Sequence, residues 1–163
     1  MAGKIASLTT INTPHRGCKF VTVLLDRLPK GCVRFVAKRY QDIFVKFGDT
    51  EADFLGGLTD LRHDRVIQFN EEVVDSPLVY YQSVMSIMTK RTSAAFPLNI
   101  SYFFCKRIDQ DENDGLVSVA AAKWGEFLGV VKSPRKRGIS HGDMIDLMRE
   151  DIVGFDIRQW YVG

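Results

Sequence analysis

Cysteine is scarce in this chain, and its placement excludes two function classes at once. There are three, Cys18, Cys32 and Cys105. An odd number at these separations fits neither a disulfide framework nor a thiolate metal site, and predicts reduced, mostly buried thiols. Charge of one sign is also lacking. The 22 Lys and Arg nearly balance the 20 Asp and Glu, for a formal charge of +2. That argues against a nucleic-acid binder held by phosphate contacts. One basic run, Lys132-Ser133-Pro134-Arg135-Lys136-Arg137, stands apart and reads as a solvated loop. No stretch approaches the roughly 18 apolar residues of a membrane span. The opening Met1-Ala2-Gly3-Lys4 has no charged-then-apolar leader. As written this reads as cytoplasmic, while any upstream signal would redirect it, so localisation stays open. Repeats, low-complexity tracts and linkers are missing as well, leaving a single domain over residues 1–163.

What is present is a mixed pattern. Lys4 to Ile11 reads as a strand, with Ile5, Leu8, Ile11 and the β-branched Thr9 and Thr10. Thr13-Pro14-His15-Arg16-Gly17 breaks it. Phe20, Val23, Leu24 and Leu28 then share one helical face, closed by Pro29 to Gly31. Val33, Val36, Tyr40, Ile43, Phe44 and Phe47 form a second stripe, with Lys38, Arg39, Asp42 and Lys46 opposite and Gly48 as a stop. Thr50 and Asp53 resemble a capping box for a short helix weakened by Gly56-Gly57. A fourth helix spans about Leu61 to Glu72 and turns Val66 and Phe69 inward.

After Pro77, Leu78 to Ile87 reads as a second strand, and Pro97 to Ile108 as an aromatic-rich helix. Asp109 to Gly115 is an acidic loop and Val117 to Trp124 a short helix. Phe127 to Val131 is apolar throughout, as a strand buried on both faces would be. Helices are expected over Asp143 to Glu150 and Asp156 to Val162. Strands separated by helices indicate an α/β class with about three parallel strands. Three strands make a thin sheet, and the first starts almost at residue 1. Its open apolar edge predicts an incomplete domain, and self-association if nothing covers it.

Three histidines limit where imidazole chemistry can sit. His63, in the charged string Asp60 to Arg65, reads as an exposed helix residue, and His15 as structural. His141, in Gly138-Ile139-Ser140-His141-Gly142-Asp143, follows a strand and loop and precedes a helix. Open α/β sheets place functional residues there, beyond the strands' carboxyl ends. A histidine base needs a carboxylate to hold its tautomer and stabilise the imidazolium. Asp114, in Glu112-Asn113-Asp114-Gly115, lies 27 positions upstream on an earlier loop, and Asp111 and Glu112 are nearby alternatives. The same segment also matches G-x-S-x-G, which marks a nucleophile elbow only where a strand runs directly into it. Here Ser133 to Arg137 precedes it, and a serine after the acid breaks the order serine, acid, histidine, so Ser140 is not taken as a nucleophile.

Three segments together resemble the bacterial triacylglycerol lipases. They are Ser7-Leu8-Thr9-Thr10-Ile11-Asn12-Thr13-Pro14-His15-Arg16-Gly17, Glu112-Asn113-Asp114-Gly115-Leu116-Val117-Ser118-Val119 and Ser140-His141-Gly142-Asp143-Met144-Ile145-Asp146. They are similar to the family's strand after the elbow, its acid loop and its histidine loop, in the same order, and cover essentially the whole chain. The resemblance implies a partial α/β-hydrolase fold, specifically its C-terminal half, with a lid-like helical region over about 18–72. It implies His141 as general base and Asp114 as the acid that orients it, acting on ester or lipid substrate. The serine, its strand and the oxyanion hole would lie upstream. Some family members bind calcium at this loop. Asp143 matches one ligand, but Leu147 stands where an amide is expected, so neither calcium nor any other metal or cofactor is expected. The other implied reading is a non-catalytic lipid- or protein-binding fragment.

Overall fold

The computed structural model describes residues 2–46, 48–51, 53–133, 136–147 and 152–162. Expectations for Ile43 and Phe44 side chains, for Phe47, for Pro134 and Arg135, and for 148–150 lie outside the described residues. Strands β1 (Ser7–Ile11), β2 (Tyr80–Ser86) and β3 (Glu126–Val131) form one parallel sheet in that order. Helices α1 (Lys19–Arg27), α2 (Lys30–Lys46), α3 (Phe54–Asp60) and α4 (His63–Glu72) fill the first crossover. Helices α5 (Leu98–Asp109) and the single-turn α6 (Val119–Ala122) fill the second, and α7 (Ile157–Val162) follows the sheet.

The expected class therefore holds, and several elements are shorter than the sequence pattern suggests. Lys4 closes a 3-10 turn over Ala2–Lys4 instead of opening the first strand, and β1 starts at Ser7. Only four residues of the expected 117–124 helix are helical, because Asn113 bridges to Ser118 and keeps the segment before it extended. Asp143–Ile145 is a 3-10 turn.

Where β1 ends, Asn12 takes a left-handed turn at φ 52° and stays buried. Its amide donates to Ser86 Oγ at 2.8 Å, and its side-chain oxygen accepts from Ser86 N–H at 2.8 Å. This reciprocal pair clamps the carboxyl ends of β1 and β2, the rim that carries the loops. On the other side of β2, the register with β3 slips between Ser83 and Met85. β3 gains a residue there, and Gly129 at φ +115° absorbs the bulge.

The main core joins Met85 and Ile87 to Cys18, Val21, Leu58, Val117 and Ala122. A second cluster of Ile139, Met144 and Ile152 packs with Ile11, Val131 and Trp160. Cys18 and Cys105 are buried and Cys32 is exposed.

Several inward or buried expectations are corrected. β3 is not buried on both faces, since none of its residues is fully buried and Leu128 is exposed. Phe69 points to solvent and Val66 is half-buried, since α4 contributes no buried residue. The cap of α3 is Asp53 itself, whose carboxylate accepts from Gly56 N–H at 2.9 Å; Thr50 does not cap it. On α1, Val21, Leu25 and Phe20 pack on the main core, and Phe20, Val21, Leu24 and Leu28 also line a cavity.

Candidate active site

The acid loop is built by turn chemistry. Helix α5 stops at Gln110, which adopts the left-handed conformation, and the chain folds back over 112–119. Asn113 accepts from Gly115 N–H through its side-chain oxygen at 3.0 Å. Asp114 Oδ1 accepts from the N–H groups of Leu116 and Val117, at 2.9 and 2.8 Å. These bonds fix the carboxylate in a fully buried position and leave Oδ2 available.

The histidine loop arrives beside it. Ile139 N–H donates to the Ile87 carbonyl at 2.8 Å, and His141 N–H donates to the Asp114 carbonyl at 2.8 Å. The imidazole then pairs through Nδ1 with Asp114 Oδ2 at 2.7 Å. A carboxylate only accepts, so Nδ1 carries the proton and Nε2 is the nitrogen that can exchange one. His141 keeps 30% of its side-chain surface exposed while Asp114 keeps none.

The alternative acids sit elsewhere. Asp111 accepts from Ala120 N–H at 2.8 Å, capping α6, and Glu112 is exposed. The hydroxyl of Ser140 donates to Asp143 Oδ2 at 2.8 Å rather than facing the imidazole. The strand feeding a serine elbow is absent there too, since residues 138–140 form a bridge and loop.

Burial works against the imidazolium of His141, but the charge of Asp114 and its hydrogen bond outweigh burial and raise the pKa above the ordinary histidine value. Followed by NMR, the ring of His141 is therefore expected to titrate above about 6.5. In Asp114→Asn, desolvation alone remains and the midpoint should drop below that value. Because the folded-state pKa is the higher one, the pair's stabilisation is complete below the unfolded value and fades as pH rises through the folded one. His141→Ala should accordingly cost most stability on the acid side of that window. Identical midpoints with and without Asp114 would contradict the coupling.

One contributor was missed in the sequence. Arg137, from the run read as a solvated loop, forms a two-pronged pair with Asp143, at 2.7 and 3.2 Å. The same Asp143 accepts from Ser140 N–H at 2.7 Å. A guanidinium thus faces the carboxylate that matched a calcium ligand. No group of three or more His, Cys, Asp or Glu able to hold a metal occurs among the described residues. The signal available in sequence was the i, i+6 spacing of Arg137 and Asp143 around the histidine, which is too common to single out.

The other histidines have local partners. His15 Nε2 lies 2.9 Å from Thr10 Oγ1, and its ring stacks on Trp124 at 4.3 Å. Burial lowers its pKa, against a smaller opposing effect of Asp75. His63 is half-buried at the start of α4 rather than exposed. Its Nδ1 lies 2.6 Å from the Arg16 carbonyl oxygen, tying α4 to the loop after β1.

His141 forms part of the wall of an apolar cavity of about 370 Å³. Leu24, Val36 and Leu58 from the first crossover face Ile100, Phe104 and Val117 from the second across it. That size suits a small apolar ligand. The buried Cys18 thiol sits on this wall, and burial pushes its pKa up to about 12, so it stays protonated and unreactive.

No family model matches the chain. It is 28% identical over 145 residues to Triacylglycerol lipase 2 of Saccharomyces cerevisiae, spanning 87% of this chain and 38% of that protein. Its structure is similar to the crystal structure of a metagenomic carboxyl esterase, with a TM-score of 0.57 at 19% identity, over 79% of this chain and 36% of the esterase. The chain thus spans under two fifths of the length of either protein. The likeness to the esterase is one of fold, a partial α/β-hydrolase fold of three parallel strands and flanking helices.

Proposed function

We propose that residues 1–163 are the C-terminal, acid-and-base part of a serine lipase or carboxylesterase, with the nucleophile carried by sequence outside them. The observation that carries this reading is the Asp114–His141 pair at 2.7 Å, set in the wall of an apolar cavity. The matched lipase and esterase support ester hydrolysis as the chemistry.

In this reading Nε2 of His141 takes the proton from a serine hydroxyl as it attacks the ester carbonyl, then returns it to the leaving alkoxide. It activates water in the same way for deacylation. Asp114 holds the ring and stabilises the imidazolium. The acyl chain of an acylglycerol or other carboxylic ester lies in the cavity. Helices α1 to α4, within the 18–72 region, act as the lid side of that cavity. A serine-bearing strand would add to the outer edge of β1, and without it the same edge favours self-association.

The test is hydrolysis of p-nitrophenyl butyrate. The chain alone, Ser140→Ala and His141→Ala should all stay at the uncatalysed rate. A longer chain that includes a strand–G-x-S-x-G–helix element should turn the ester over, and lose on the order of 10³-fold or more on His141→Ala. Turnover by residues 1–163 that disappears in Ser140→Ala would overturn the assignment.

A further inference from the structure

His141 stands on a loop whose two limbs are tied down separately. The limb before it is bound to the segment that leaves β2. Ile139 N–H donates to the Ile87 carbonyl, and Gly138 bridges to Met88. The hydroxyls of Thr89 and Ser93 donate to the carbonyls of Lys136 and Arg137. The limb after it is held further on. Met144 is fully buried beside Ile139 and Ile152, and its carbonyl accepts from the Tyr161 hydroxyl on α7 at 2.7 Å. Apolar contact is non-directional, so the packing of Met144 does not set where a ring between the limbs points.

A polar link between the limbs does. Asp143 Oδ2 accepts from Ser140 N–H at 2.7 Å, from the Ser140 hydroxyl at 2.8 Å and from the Arg137 guanidinium at 2.7 Å. Its Oδ1 takes the second guanidinium prong at 3.2 Å. A planar fork on a carboxylate fixes orientation as well as distance. The Asp143 side chain is only 8% exposed, so water competes poorly for it. The chain from 137 to 143 is thereby closed into a ring with His141 on its span. The His141 N–H in turn donates to the Asp114 carbonyl at 2.8 Å. Asp114 is the charge that acts on the imidazole itself, so what Arg137 and Asp143 govern is its position.

We propose that the Arg137–Asp143 pair positions the base: it closes the loop around His141 and holds the ring where Nδ1 meets Asp114 Oδ2 at 2.7 Å. A catalytic pair must be kept within about 0.5 Å of its working geometry by side chains that are themselves locked. Arg137 and Asp143 are positioning residues, acting through His141. This deepens the reading of His141 as the base and rests on it for its catalytic meaning, while its test does not depend on turnover.

The Nδ1 proton of His141, followed by NMR in protein carrying isotope-labelled histidine, reads that geometry directly. In the unaltered chain it is expected to give a far-downfield signal that exchanges slowly with water. Arg137→Gln should speed the exchange on the order of tenfold, the loss expected for a charge-assisted bond. Asp143→Asn keeps an acceptor for Ser140 N–H and should give the same factor. The double variant should add little to either, because both remove one interaction. Arg137→Lys places a point charge where the fork was and should recover part of the loss. Lys136→Gln removes a neighbouring exposed charge and should leave the signal as it is. Backbone amide exchange at Met85, fully buried in β2, separates position from general stability and should stay constant throughout. Equal acceleration at Met85 and at Nδ1, or unchanged Nδ1 exchange in both Arg137→Gln and Asp143→Asn, overturns the proposal. If Arg137→Gln does not fold, Asp143→Asn and Arg137→Lys carry the same comparison. A longer chain that fails to hydrolyse ester would sink the catalytic reading and leave these exchange rates standing.

Discussion

Asp114→Ala is expected to lower the unfolding free energy by about 3 kcal/mol, because two buried backbone donors lose their acceptor and His141 loses its partner. The donors are Leu116 N–H and Val117 N–H, both bound to Oδ1 within 2.9 Å. Water cannot replace that oxygen easily, since Asp114 has no exposed surface. Two companion variants separate the structural and the chemical contributions. Asp114→Asn keeps an acceptor for the loop and should cost only about 1 kcal/mol, while abolishing the upward shift of His141. His141→Ala leaves the carboxylate with both backbone donors and should also cost about 1 kcal/mol. Urea unfolding of the three proteins checks the order. A loss in Asp114→Ala no larger than in His141→Ala would mean that Asp114 does not hold the loop.

Gly138→Ala should cost about 3 kcal/mol or more, combining a left-handed backbone with a clash that main chain cannot relieve. Gly138 has φ +76°, and an added Cβ would stand 2.5 Å from Thr89 N and 2.7 Å from the Ile87 carbonyl oxygen. Those atoms belong to the segment leaving β2, which also receives the hydrogen bond from Ile139 N–H. Moving either strand of this contact displaces the histidine loop. The variant should therefore show a second effect, a drop in the His141 titration midpoint as the ring leaves Asp114. Gly31→Ala is the control, since a Cβ there meets nothing within 4 Å and α2 tolerates it. Thermal unfolding that treats both substitutions alike would show that the close approach at Gly138 is not real.

The sequence carried the site further than it carried the packing. Asp114 and His141 were legible because each stands in a loop string with a family-like pattern, and turn residues such as Asn113 and Gly115 act locally. Arg137 was hidden because a cation in a basic run looks the same whether it is solvated or paired. Phe69 and Leu128 were placed inward because periodicity reports which face of an element is apolar, not whether another element covers it. The cavity could not be read at all. Its wall joins Leu24, Val36 and Leu58 to Phe104 and His141, residues brought together by two crossovers of a parallel sheet.

By itself, then, the amino-acid order determined the α/β class, the sequence of strands and helices, and the two loops that carry Asp114 and His141. Each rests on interactions within a few residues: side-chain alternation, helical periodicity and Asx turns. Tertiary structure decided the rest. It paired His141 with Asp114 rather than with Asp111 or Glu112, and opened an apolar mouth beside α2. Those outcomes depend on which distant segments share a hydrogen bond or a packing surface. That is set by the burial of the whole sheet and its helices, and no local pattern encodes it.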